Sequence, residues 1–149
     1  MNEERTFFEI SDSGDLIRIE LIGLNYPDAE LDWDRNWLRS FVKVKAGVFS
    51  GEFKADFMTV DFVGFKNELA NLYEKLNGIA IFQTLESQVE IKIVGDGIGH
   101  LNAKCVVMDG AGIGNKLEFE ISFDQTHIPK ILNQLKNITN KFPKTGELK

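Results

Sequence analysis

Six glycines fall within the 23 residues from Ile93 to Asn115, as the runs Gly95-Asp-Gly97-Ile-Gly99 and Gly110-Ala-Gly112-Ile-Gly114. Glycine-rich loops let backbone N–H groups approach a phosphate, so nucleotide binding is the first chemistry to test. A dinucleotide-binding loop reads G-x-G-x-x-G between a strand and a helix, and a phosphate loop ends in G-K-[ST]. Both runs here read G-x-G-x-G, and apolar/polar alternation on either side of each predicts strands. No helix N-terminus follows to receive a phosphate. Structural use is the better reading. In an extended chain Gly95, Gly97 and Gly99 would open space on one face, and the second run suits a hairpin loop that needs glycine at positive φ.

The other candidate residues are weaker still as chemistry. Asp32, Asp34 and Asn36 imitate the start of a calcium loop, but its sixth and twelfth positions are Trp37 and Lys43 where glycine and glutamate are required, which excludes an EF-hand. Asp28, Glu30, Asp32 and Asp34 with Trp33 suit a protein contact better, because tryptophan is favoured in binding hot spots; Trp37 reads as a cap on the core. Cys105 falls in an apolar row and reads as an inert buried thiol. His100 and His127 with one cysteine are too few for a structural zinc set. Neither histidine accompanies a recognised nucleophile motif. Glu118 and Glu120, two apart on one strand, imitate a carboxylate pair but read as surface charge beside Lys92 and Lys104. No catalytic, metal or cofactor-binding residue is assigned.

These residues need a scaffold, and periodicity supplies one. Alternation places Ile17, Ile19 and Leu21 on one face of a strand, then Val42 and Val44, then Phe49, Phe53, Ala55 and Phe57 with Gly51 in the same inward row. Gly47 predicts a hairpin between the last two. The period then changes: Phe62, Phe65, Leu69, Leu72, Tyr73 and Leu76 recur at helical spacing, with Thr59 as N-cap and Gly78 as the stop. Four strands follow at about 79–85, 88–94, 100–108 and 116–123, with inward rows Val89/Ile91/Ile93, Leu101/Ala103/Cys105/Val107 and Leu117/Phe119/Ile121/Phe123. A second helix has Thr126 as cap, Pro129 in its first turn, and a stripe of Ile128, Ile131, Leu132, Leu135 and Ile138. Three strands, with room for a fourth, precede the first helix. The fold class is α+β: a mainly antiparallel, curved sheet of seven or eight strands with two amphipathic helices packed on it. No internal repeat is visible.

The 149 residues suit one domain, with an ordered core over about 6–142 and a frayed tail at 143–149. A single cysteine forbids an internal disulfide, the acidic start lacks the pattern of a signal peptide, and no apolar run is long enough to span a membrane. A cytoplasmic protein is expected. Its net charge of −6 is uneven, residues 1–36 carrying a balance of −7 and the remainder +1. An acidic N-terminal quarter repels phosphate backbones, which argues against direct nucleic-acid binding, and suits a basic protein partner.

Four segments carry a resemblance: "NWL" (36–38), "GVFSGEF" (47–53), "DGIGH" (96–100) and "GNKLEFEISFDQTHIP" (114–129). In this order, with one helix after the phenylalanine-rich strand and another after "DQT", the chain resembles the WapI-like family of bacterial immunity proteins from roughly residue 15 to residue 138. The resemblance implies a protein that protects its cell from the toxic C-terminal domain of a wall-associated, contact-delivered toxin; such domains include nucleases that attack RNA. It implies inhibition by binding, with no turnover and no cofactor. No contact residues carry over from the family. The expected contact residues are therefore those of the acidic loop: Asp28, Glu30, Asp32, Trp33 and Asp34. The alternative function is a small-molecule binder or minor enzyme using the glycine-rich segment and His100.

Overall fold

The computed structural model describes residues 6–24, 28, 30 and 36–143. The strands alternate as their sequences dictate. β1 (Thr6–Asp12), β2 (Asp15–Leu24), β3 (Trp37–Ala46) and β4 (Phe49–Met58) form an antiparallel meander in the order β1-β2-β3-β4. A helix, α1 (Thr59–Lys75), leads into a second meander, β5 (Asn77–Gln83), β6 (Val89–Asp96), β7 (His100–Met108) and β8 (Lys116–Asp124), again paired in chain order. A short 3₁₀ turn, Gln125–His127, opens the second helix, α2 (Ile128–Lys141). The expected α+β class is thus built as two four-stranded sheets, each followed by a helix. The fourth early strand is β1, which pairs with β2 around the tight Ser13-Gly14 turn.

One core joins the two sheets. Phe82 of β5 sits at its centre, with its ring centroid 5.2–5.6 Å from those of Phe8, Phe57, Phe62 and Phe65. Those four come from β1, β4 and α1, so one side chain of the second half is clasped by three elements of the first. Edge-to-face contacts such as Phe57–Phe82 are the favoured geometry for packed aromatic rings. Most of the expected helical stripes are buried, Phe62, Phe65, Leu69 and Leu72 in α1 and Ile128, Ile131, Leu135 and Ile138 in α2, but Tyr73 is 40% exposed, Leu132 is half-buried and Leu76 lies past the end of α1.

The helix ends differ from expectation. Met58, not Thr59, is the N-cap residue of α1. Thr59 is turned inward, where its N–H donates to the Asn36 carbonyl at 3.0 Å, so it cannot serve the helix end. Asp61 instead accepts the Met58 N–H at 2.9 Å. At the other end Leu76 closes the helix in the left-handed region at φ 61°, and Gly78 already belongs to β5. Asp124, rather than Thr126, supplies the cap ahead of α2, accepting the Thr126 N–H at 2.9 Å.

Two expected rows are buried only in part. Phe49 is 64% exposed and Gly51 is exposed, because the β3–β4 hairpin runs past the core at its tip; Phe53 is half-buried, and Ala55 and Phe57 are buried. In β8, Ile121 and Phe123 are buried while Leu117 and Phe119 stay half-open.

Helices and side chains finish the sheet edges. The outward N–H of Glu9 in β1 donates to Gln134 Oε1 of α2 at 3.0 Å, and that of Ile81 in β5 to Glu68 Oε1 of α1 at 3.2 Å. Gln88 Nε2 donates to the Lys54 carbonyl on the edge of β4 at 3.4 Å. Unpaired strand edges template association, and each of these contacts occupies one outward backbone group on three of the four edges.

Candidate partner-binding surface

The acidic connection between β2 and β3 is the expected contact segment. Asp28 and Glu30 are exposed, whereas Asp32, Trp33 and Asp34 lie outside the described residues. Its downstream root is fixed from below: Asn36 is buried, and its carbonyl accepts the N–H of Thr59. Trp37 is half-buried at the start of β3, consistent with a role at the margin of the core.

Beside this root lies a cleft of about 370 Å³ that sequence reasoning missed. Ile22 continues the outward row of Leu16, Arg18 and Glu20 and is 51% exposed, and a register shift between Leu21 and Gly23 places it at a bulge. Bulges of this kind re-aim side chains at the end of a strand. Ile22, Arg39, Phe41, Lys54 and Asp56 surround the cleft, the Ser40 and Ala55 segments floor it, and Gln88 closes one side. Arg39 stands directly opposite Asp56, and Phe41 opposite Lys54, whose Nζ lies 5.9 Å from the Phe41 ring centroid. Farther along the same sheet Arg18 Nε meets Glu9 at 3.1 Å while its guanidinium covers the Phe7 ring at 4.0 Å. The face is mixed in charge with apolar patches, a composition common in protein–protein contacts. No sequence periodicity signals this bulge.

The glycine runs are turn structures. Gly97 and Gly99 adopt φ values of 90° and 108°, so the first run is a tight turn and not the extended, open face that alternation suggested. The space over Gly95 is filled by the chain itself, since a Cβ there would stand 2.4 Å from the Leu76 carbonyl oxygen. The second run folds onto itself: Gly114 N–H donates to the Gly110 carbonyl at 2.9 Å, and a Cβ on Gly114 would meet Gly110 N at 2.2 Å.

His100 belongs to the first turn. Its Nδ1 lies 2.9 Å from Asp96 Oδ2, while Asp96 Oδ1 accepts the N–H groups of Ile98 and His100 at 2.9 and 3.1 Å. Those backbone donors, Ile98 first, and then the imidazole hold the Asp96 carboxyl below the usual carboxylate range. The Asp124 carboxyl is lowered chiefly by the Thr126 hydroxyl. His100 is 75% exposed on its side chain, so the Asp96–His100 pair is a wet turn fastening. His127 instead packs beside Phe123, with ring centroids 5.9 Å apart. Burial pushes the Cys105 thiol up to about 12, as befits an unreactive core residue. Glu120 stands opposite Lys104, and Lys104 also faces Lys92, so the carboxylate offsets a like-charge pair across the sheet. Glu118 faces Val106.

Fold and surface together define an α+β chain whose exposed features, among the described residues, include turns, a charged sheet face and the carboxylates Asp28 and Glu30. Residues 7–143 match the immunity protein WapI-like family, and the chain belongs to that family. Members of an immunity family are generally non-catalytic. A comparison with curated protein sequences finds no match. Among solved structures, the chain is similar to Trypanosoma bruciei MRP1/MRP2, at 10% identity and a TM-score of 0.51 over 93% of this chain and 86% of that one. It is also similar to the plant transcriptional regulator PBF-2, at 12% identity and a TM-score of 0.48 over 98% and 92% of the two chains. For WHY1 from Arabidopsis thaliana the values are 11% identity and 0.46, over 97% and 88%. At 10% identity the MRP1/MRP2 likeness shows the fold alone. Among the described residues no helix is long and apolar enough to cross a membrane.

Proposed function

We propose that this chain neutralises a cognate toxin domain in the cytoplasm of the cell that makes it, by binding and covering the toxin's working surface without turnover. The observation that carries this reading is the match to the immunity family across residues 7–143. The acidic loop supports a basic partner: Asp28 and Glu30 are exposed, and the first 36 residues hold a balance of −7. Opposite charge across an interface speeds encounter and rejects wrong partners. Asp32, Trp33 and Asp34 complete the proposed contact, and a nuclease is one partner of suitable charge.

The test is a calorimetric titration of a toxin-like C-terminal domain encoded beside this gene, together with growth of cells expressing that domain with and without this chain. One-to-one binding with rescue is the expected result. Replacing Asp28, Glu30, Asp32 and Asp34 by their amides should slow association about tenfold at low salt and much less at high salt. Rescue without any change in association rate would remove the loop from the interface. The absence of both binding and rescue would refute the immunity reading for that pair. The small-molecule alternative keeps one feature, an open groove of about 570 Å³ lined by Gly95, Asp96, His100 and Asp124, although Leu76 fills the space directly against the Gly95 Cα.

A further inference from the structure

The four strand edges of the two sheets are not treated alike. Three carry an outward backbone group bonded to a side chain, through Gln134, Glu68 and Gln88. Among the described residues the fourth, β8, does not. The ladder fixes which of its peptide groups face outward. Gln125 N–H donates to the Gly99 carbonyl, and Asp109 N–H to the Asn115 carbonyl, so odd-numbered residues of β8 bond to β7. Antiparallel pairs alternate, and the peptide groups of Lys116, Glu118 and Glu120 therefore point away from the sheet. Among the described residues no hydrogen bond reaches them. The C-terminal end of the strand is sheltered, since Asp12 of β1 lines the same groove as Ser122, Phe123 and Asp124. The Lys116–Glu120 half is open, with Lys116, Glu118 and Glu120 exposed and Leu117 and Phe119 half-buried beneath them.

We infer that this half of β8 is a docking edge that accepts an extended, basic segment of the partner protein as a ninth strand. Three outward peptide groups offer main-chain hydrogen bonds, which supply affinity in strand addition, while alternate side chains supply specificity. A strand laid here presents one row of side chains beside Lys116, Glu118 and Glu120, a row of net negative charge, and the other beside Leu117 and Phe119. The complementary occupant alternates arginine or lysine with apolar residues. Like charges directly opposite one another are unfavourable, so the same two glutamates discourage acidic strands and a Glu118-to-Glu118 pairing between two copies of this chain. The inference rests on the immunity reading only in naming the toxin domain as the protein that supplies the strand.

The probe is a short blocked peptide of alternating valine and arginine, titrated into the intact chain while backbone amide resonances are followed. Shifts confined to Lys116–Glu120 and adjoining β7 are expected. Glu118→Pro removes one outward N–H without touching a bond to β7, a position where a strand tolerates proline, and should weaken the peptide about tenfold. Glu118→Lys, at an exposed side chain facing Val106, should weaken the valine–arginine peptide and favour a valine–glutamate one. If the proline variant does not fold, this charge reversal carries the test alone. Peptide shifts elsewhere, or none, overturn the proposal. So does concentration-dependent self-association of the chain that Glu118→Pro abolishes, which would give the edge to a second copy. A toxin domain that binds the wild type and the edge variants equally also overturns it while leaving the immunity reading intact. A toxin domain that fails to bind the wild type refutes the immunity reading instead, and the peptide titration still decides the edge.

Discussion

Asp61 offers the sharpest quantitative prediction. It lies in the first turn of α1 and accepts the Met58 N–H, a favourable place for a carboxylate. Burial outweighs that hydrogen bond and raises its pKa from 3.8 to about 6. Folding therefore favours the protonated acid. The stability this contributes is complete below the unfolded pKa of 3.8 and is lost as the pH rises through about 6. A shift of about two units corresponds to about 3 kcal/mol at 1.36 kcal/mol per unit. Asp61→Asn keeps an oxygen acceptor for Met58 N–H and removes the ionisation. Urea unfolding of both proteins at intervals from pH 3.5 to 7.5 should show the variant gaining on the wild type by about 3 kcal/mol across that range, with most of the gain between pH 4 and 6. A stability difference that is flat with pH would refute the claim that burial controls this group. A difference running the other way would mean that the helix terminus and the Met58 contact dominate.

Two further outcomes follow from the core. Phe82→Ala removes the ring held among Phe8, Phe57, Phe62 and Phe65 and should cost about 3–5 kcal/mol in urea unfolding; a loss below about 1.5 kcal/mol would mean that the two halves are not joined through this cluster. With its thiol near 12, Cys105 is ionised in only about one molecule in ten thousand at pH 8. Its alkylation by iodoacetamide, followed by mass spectrometry, should therefore keep pace with global unfolding and accelerate sharply in urea, whereas rapid labelling of the native protein would place the thiol at the surface.

The local periods in the sequence report which face of an element is buried, and there they were reliable. Ile17, Ile19, Val42, Val44, Ile91, Ile93 and all of the helical stripes but Tyr73, Leu76 and Leu132 are buried where alternation and helical spacing placed them. The same signal is silent on which strands share a sheet, because the inward row of β4 looks no different whether β5 continues the sheet or starts another. It also overreached where an element outruns the core, as at Phe49. Turn chemistry was legible at Gly47, whose φ is 62° and whose N–H donates to Asp15 Oδ1 at 2.9 Å. It misled at Gly78, since Leu76 takes the left-handed position that glycine ordinarily fills. The glycine runs were read as structural, but the filling of their space by Leu76 and by Gly110 depends on contacts that spacing cannot reveal. Of the candidate surface, the acidic segment was visible as composition. The cleft beside it was not, because its lining comes from β2, β3, β4 and Gln88, and local periods do not report which strands lie side by side.

The exchange of helices between the halves has a consequence in time. α1 finishes the edge of β5, and α2 finishes the edge of β1, the latter through a contact spanning 125 residues between Glu9 and Gln134. Contacts so distant along a chain close late in folding. During synthesis the first meander must wait, with its outer strand uncovered, until nearly the whole polypeptide has left the ribosome. The first half of this chain therefore cannot be finished by itself: its outer strand is closed only by the last helix to be made.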